Sequence, residues 1–307
     1  MQQPDPKVQG MTFPGRGASL RKRLIVSGDD FGLSPGTNFG IMKAHRDGIL
    51  TNASLMVNGC AFAEAVELAR ATPSLSVGLH LVLVHGRAAS APRDIPDLVE
   101  GAGMFRYNAV TAGFHYFFVP RLRPQIEREI GAQLEKYLST GLPLSHVDGH
   151  LNIHMHPSVL AILLKLASRY GIRAMRLPRE PWRTSLRLDR RERRRKLLEA
   201  LIFRNLTRFA RPRLAAHGVR HPDQMFGLHQ SGHVTEPYLL GVLHHLPAGI
   251  TEVYGHPARV DAEARRWRPA EYESETEVAA FTSARVRAVM RAADIELASY
   301  GDLSSSV

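Results

Sequence analysis

The sequence predicts an α/β protein whose parallel sheet is closed or distorted into a barrel, and three observations carry that prediction. Short apolar runs and amphipathic stretches alternate through most of the 307 residues, the pattern of strands joined by helical crossovers. Roughly seven or eight such units fit in this length, which suits a (β/α) barrel better than two Rossmann halves. No strand runs into GxGxxG or GxxxxGKS/T, which counts against nucleotide binding.

The elements follow in order. Residues 1–20 are rich in Gly, Pro and Gln without periodicity and read as a disordered lead-in. That leaves a single domain over 21–303. The lead-in has no apolar h-region, so no secretory signal is expected, and Met11 offers an alternative start. Leu24-Ile25-Val26 is a buried strand. Ser34 caps and Pro35 opens a helix to about Asp47, stopped by Gly48. Leu55-Met56-Val57 is strand-like, 62–70 helical and 75–84 a strand, before a Pro- and Gly-bearing loop over 92–103. A helix from Pro124 to about Thr140 ends at Gly141, and His146-Val147-Asp148 is the next strand end. Pro157 opens a helix to Tyr170, and 174–177 is a strand. Further strands are expected at 225–228, 252–254 and 295–299, with helices near 236–246 and 275–292.

Composition narrows the class. A hydrophobic share of 44% with 22% charged residues is globular, and no apolar run approaches the ~20 residues that span a bilayer. The single cysteine, Cys60, rules out a disulfide framework, a cysteine zinc cluster and a CxxC site. A cytoplasmic protein is expected. The formal charge of +11 is local, because 183–213 holds 12 basic residues against 3 acidic ones. A whole-protein nucleic-acid footprint is therefore not expected. Within that segment Leu198, Leu201, Ile202, Leu206 and Phe209 recur at helical spacing behind a basic head at 189–196. Such a stripe suits an anionic membrane surface, or equally a core-facing helix with a solvated charged face.

Polar residues at the C-terminal ends of barrel strands meet at one mouth. The first strand ends in Ser27-Gly28-Asp29-Asp30, and two adjacent carboxylates there need neutralising unless they only cap a turn. His80 stands alone inside the apolar run 76–84, as a core histidine or as a ligand sharing a cavity with the Asp pair. From His146 to His156 every even position is His, Asp or Asn and the odd ones are apolar or Gly. An extended chain would put the even residues on one face, able to bind a metal, with Asp148 orienting a neighbouring imidazole. His256, after a late strand, is a candidate general acid. His229 and His233 are expected at the rim. Arg173, Arg176 and Trp182 are candidate sugar-site residues or merely exposed loop residues.

Four separated blocks, Ile25–Ser34, Gly78–Leu83, His146–His150 and His256-Pro257-Ala258, resemble the YdjC-like carbohydrate deacetylases in order and approximate spacing. The resemblance covers about Arg21 to Leu303 and implies a distorted (β/α) barrel related to the polysaccharide deacetylases. It implies Asp30, His80 and His150 as ligands of one divalent metal ion, Asp29 as general base and His256 as general acid. Zinc and magnesium are both compatible with it. Leu151 and Asn152 stand where the family often has further histidines, and Gly255 replaces a cysteine before the His-Pro pair. The stretches 50–57, 87–105, 117–120 and 249–254 look most like the hopanoid-biosynthesis subgroup. That likeness implies an N-acetylglucosaminyl lipid as substrate and peripheral contact of 183–213 with the inner membrane face. The alternatives are a deacetylase of soluble chitooligosaccharides, a two-metal hydrolase of another bond such as a phosphodiester, and a surface-binding protein built on the basic segment.

Overall fold

The computed structural model describes residues 21–304, so the lead-in expected over 1–20 lies outside the described residues. The first half of the chain runs β1 (Lys22–Phe31), α1 (Pro35–Arg46), β2 (Asn52–Leu55), α2 (Phe62–Arg70) and β3 (Ser76–Leu81). A small hairpin of β4 (Val99–Glu100) and β5 (Met104–Phe105) precedes α3 (Ala109–Phe118), α4 (Arg123–Leu138), β6 (Val147–Gly149) and α5 (Pro157–Tyr170). Then come α6 (Trp182–Leu188), α7 (Arg193–Ala216), β7 (Gln224–Phe226), α8 (Glu236–His244) and β8 (Gly249–Gly255). The chain closes with α9 (Ala262–Trp267), α10 (Ser274–Thr282), α11 (Ala284–Ala292), β9 (Ile295–Ala298) and α12 (Tyr300–Ser304).

Seven of these strands form one parallel sheet in the order β6-β3-β2-β1-β8-β7. The seventh, β9, shares an edge of β1 with β2: β9 pairs with Lys22–Ile25, and β2 takes over from Ser27. The curl is completed by single bridges, Val147 to Met175 and Ala174 to Arg220. The strand expected at 174–177 is reduced to these bridges, so the barrel is distorted at that seam. The expected 275–292 helix is two helices, because Ser283 leaves the helical conformation and caps α11 through its hydroxyl.

β1 is central and wholly apolar at Leu24, Ile25 and Val26, each fully buried. Its helix α1 starts as predicted, with the Ser34 hydroxyl accepting from the Thr37 amide. Along α1, Gly36 and Gly40 let the segment after β8 lie directly on the helix. A Cβ on Gly40 would stand 2.4 Å from the Ala258 Cα, and one on Gly36 2.0 Å from the Arg259 carbonyl oxygen. This close approach holds the loop that carries His256 over the end of β1.

The expected extended face over 146–156 is not formed. After Gly149 the chain tightens into a turn over His150–Met155, with Leu151 and Asn152 both left-handed at φ 54. The even residues therefore part company: His150 and Asn152 line a cavity, while His154 is buried behind it. His156 caps α5, accepting from the Ser158 amide.

Candidate active site

Adjacent residues on a regular strand point to opposite faces, yet Asp29 and Asp30 both line one cavity of about 470 Å³ at the C-terminal ends of the strands. The cause is a register break. β1 pairs with β2 regularly through Gly28 and resumes one step out at Phe31, and Asp30 takes φ 68. A bulge with a left-handed residue re-aims its side chain, at a cost a non-glycine residue sustains only where the surroundings hold it.

Asp30 Oδ1 lies 3.2 Å from His150 Nδ1 and 3.5 Å from His80 Nε2. All three ligand atoms fall within 4.8 Å of one another. The other Asp30 oxygen accepts from Arg268 Nε at 3.1 Å. Against burial, Arg268 and the two imidazoles hold the Asp30 carboxyl well below the usual carboxylate range.

His80 is fixed from behind. Its Nδ1 donates to Asp148 Oδ1 at 2.8 Å, which leaves Nε2 facing Asp30, the arrangement by which a carboxylate sets the tautomer of a metal-binding imidazole. Against burial, the surrounding carboxylates raise the His80 pKa to about 10. Two nitrogens and a carboxylate oxygen converging on one buried point fit a divalent ion.

A second triplet, Asp29, His80 and Asp148, is equally compact, but its charge is already answered. Arg176 grips both Asp29 oxygens at 2.7 and 2.8 Å, reaches Asp148 Oδ2 at 2.8 Å and donates to Glu252 Oε1 at 3.0 and 3.1 Å. Its guanidinium stacks over Tyr254 at 4.4 Å. A cation in that triplet would face a fixed positive charge. Burial pushes the Asp29 carboxyl up to about 6, with Arg176 pulling the other way.

The outer partners close the network. Ser54 bridges Asp148 and His146, Tyr300 stacks on His146 at 4.0 Å, and Tyr300 and Ser27 both donate to Glu252. Burial pushes His146 down to about 3 and His154 down to about 4.

His256 lines the same cavity, 5.0 Å from the Tyr272 ring, with Nδ1 buried and unpartnered. Its backbone amide donates to Glu277. Burial pushes the imidazole down to about 3.

Three expected sugar-site residues lie elsewhere. Arg176 is fully buried behind the Asp pair, Arg173 is exposed beside Ser145 and Ser299 away from this cavity, and Trp182 lines a neighbouring one. His229 is not a rim residue but buried, with Nδ1 3.2 Å from Glu199. His233 is half-buried. Arg268, Glu252, Glu277, Ser54 and Tyr300 went unread; Glu252 alone had a signal, as an acid inside the apolar run of β8.

The family model for "YdjC-like protein" matches residues 23–292. The chain belongs to the YdjC-like family. A carbohydrate deacetylase of Brevibacillus brevis is 44% identical over 160 residues, 52% of this chain and 60% of that protein. One from Thermoanaerobacter pseudethanolicus is 29% identical over 242 residues, covering 79% of this chain and 83% of its own. The chain thus spans about 60% of the length of several curated relatives it matches. Among solved structures, an Enterococcus faecalis V583 protein named for cellobiose-phosphate cleavage superposes with a TM-score of 0.72 at 24% identity, over 92% of this chain and 99% of its own. That likeness shows the shared fold.

Two outcomes follow from the network. Arg176→Met leaves three carboxylates buried without their cation, and urea unfolding is expected to show a loss of about 3–5 kcal/mol; a loss below ~1 kcal/mol contradicts the network. His146 is buried neutral with its folded pKa below the unfolded value. Its contribution is therefore present above about pH 6.5 and fades as pH falls toward 3. The melting-temperature gap between wild type and His146→Asn is expected to narrow from pH 7.5 to 4.5. A constant or widening gap contradicts this.

Proposed function

We propose that the protein is a metal-dependent deacetylase that hydrolyses the N-acetyl group of an N-acetylglucosamine-type sugar. The observation that carries this reading is the convergence of Asp30 Oδ1, His80 Nε2 and His150 Nδ1 on one side of a sugar-sized cavity, with Asp29 beside them and unable to join them. The relatives named as carbohydrate deacetylases support the same reaction. Asp30, His80 and His150 hold the ion; the donor set suits zinc or another first-row metal, with magnesium the alternative. Such an ion, when bound, polarises the acetamide carbonyl and lowers the pKa of water.

The rest is done by the chain. Asp29, raised toward neutrality by burial, takes the proton of the attacking water. Arg176 keeps that carboxylate aimed and prevents it from acting as a ligand. Asp148 orients His80. His256 delivers a proton to the departing amine nitrogen, and the proton that Asp29 takes from the attacking water restores it, so the hydrolysis balances. A two-metal phosphodiesterase would need carboxylates free to bridge two ions, whereas Asp29 and Asp148 share Arg176. Asp29→Asn is expected to bind the metal with wild-type stoichiometry and to lose at least about 100-fold in acetate release. Near-normal turnover overturns the assignment.

The sugar is carried on a lipid, a hopanoid by family likeness, and met at the inner membrane face. No helix among the described residues is long and apolar enough to cross a membrane. Leu198, Leu201 and Ile202 are 60, 59 and 47% exposed on α7, so this part of the stripe does not face the core. Phe114, Phe117 and Phe118 of α3 are likewise exposed. An apolar ridge among arginines suits an anionic bilayer. Acetate release is expected from an N-acetylglucosaminyl hopanoid in anionic liposomes, and Leu198→Glu/Leu201→Glu is expected to abolish it while sparing any hydrolysis of chitobiose. Wild-type release from chitobiose alone discards the lipid carrier and keeps the deacetylase.

A further inference from the structure

Beside the catalytic cavity lies a second one of about 360 Å³, and Phe203 and Leu228 belong to the walls of both. The helix α7 is the partition. Arg195, Glu199 and Phe203 face the first cavity, while Arg204, Arg208 and Arg211 face the second. Spacings of four and three residues put those three guanidinium groups on one stripe of the helix. Arg179 comes to the same cavity from the seam of the barrel, with Nη1 donating to the Asp223 carbonyl.

Four arginines around one cleft repel one another unless an anion joins them, and none of the four has an ion-pair partner among the described residues. The one acid in the wall, Glu180, is turned to other donors: the Ser185 hydroxyl at 2.5 Å, the His229 amide at 3.1 Å and the Tyr238 hydroxyl at 3.4 Å. His229 lines the same cleft, but its Nδ1 donates to Glu199, so its Nε2 is an acceptor and the anion-binding character comes from the guanidinium groups.

We propose that this cleft binds a phosphate group, monoester or diester, through Arg204, Arg208 and Arg211. Planar guanidinium forks match phosphate oxygens in pairs, which a diffuse surface charge does not. The phosphate has two possible sources: a soluble phosphorylated compound, or a phospholipid headgroup reached while the exposed ridge of α7 rests on a bilayer. The site stands independently of the deacetylase reading, since its test does not read turnover.

The test uses the intact chain, the double variant Arg204→Gln/Arg208→Gln, and a charge-matched control, Arg285→Gln/Arg291→Gln, on the exposed side of α11. Titration calorimetry follows inorganic phosphate and glycerol 3-phosphate. Cosedimentation follows vesicles of phosphatidylcholine with and without phosphatidylglycerol. Wild type and control are expected to bind at least one probe, with the double variant weaker by about tenfold or more. Loss confined to the soluble phosphates identifies a soluble ligand, and loss confined to phosphatidylglycerol vesicles identifies the headgroup. Equal binding by all three proteins, or no binding of either probe by wild type, overturns the proposal.

Discussion

Everything at this site depends on one buried guanidinium. Arg176 pairs with Asp29, Asp148 and Glu252, which arrive on three different strands of the sheet. Burying three carboxylates around a cavity is prohibitive without a fixed cation. The same contact divides the work between two neighbours in sequence. Asp29 has both oxygens held by Arg176, whereas Asp30 keeps one oxygen for the histidines and gives the other to Arg268. Two chemically identical side chains thereby acquire different surroundings, the logic by which environment separates paired carboxylates.

The backbone supplies the other half of that division. A regular strand would have sent Asp29 and Asp30 to opposite faces; the bulge and the left-handed Asp30 bring both to the cavity. The close packing of Gly36 and Gly40 on the segment after β8 then holds the start of that segment, where His256 lines the same cavity as the pair. Fold and site are joined at the strand ends, as barrel architecture requires.

Much of this was legible from sequence. Asp29, Asp30, Asp148 and His150 stand at ends of apolar runs and His80 inside one, so knowing that the strands are parallel is enough to bring them together. What escaped was whatever depends on geometry after the strand. The alternation over 146–156 has the period of a strand, yet Leu151 and Asn152 turn left-handed and scatter its histidines. Arg268 sits among surface-like residues at 265–268, and only its contact with Asp30 distinguishes it. For Arg176 the sequence offers the sugar site or an exposed loop, because an arginine after a strand end says nothing of which way it points. The apolar stripe of α7 fits burial and exposure equally; Leu206 and Phe209 pack on the core while Leu198, Leu201 and Ile202 face outward.

The central claim is that the two adjacent aspartates are unlike, one a ligand and the other held away from the ion by Arg176. A crystal equilibrated with zinc and measured at the zinc absorption edge tests it directly. The account predicts one anomalous peak per chain, bonded to Asp30, His80 and His150, with Asp29 still paired to Arg176. A peak bonded to Asp29 and Asp148, or a second ion bridging the carboxylates, would contradict it.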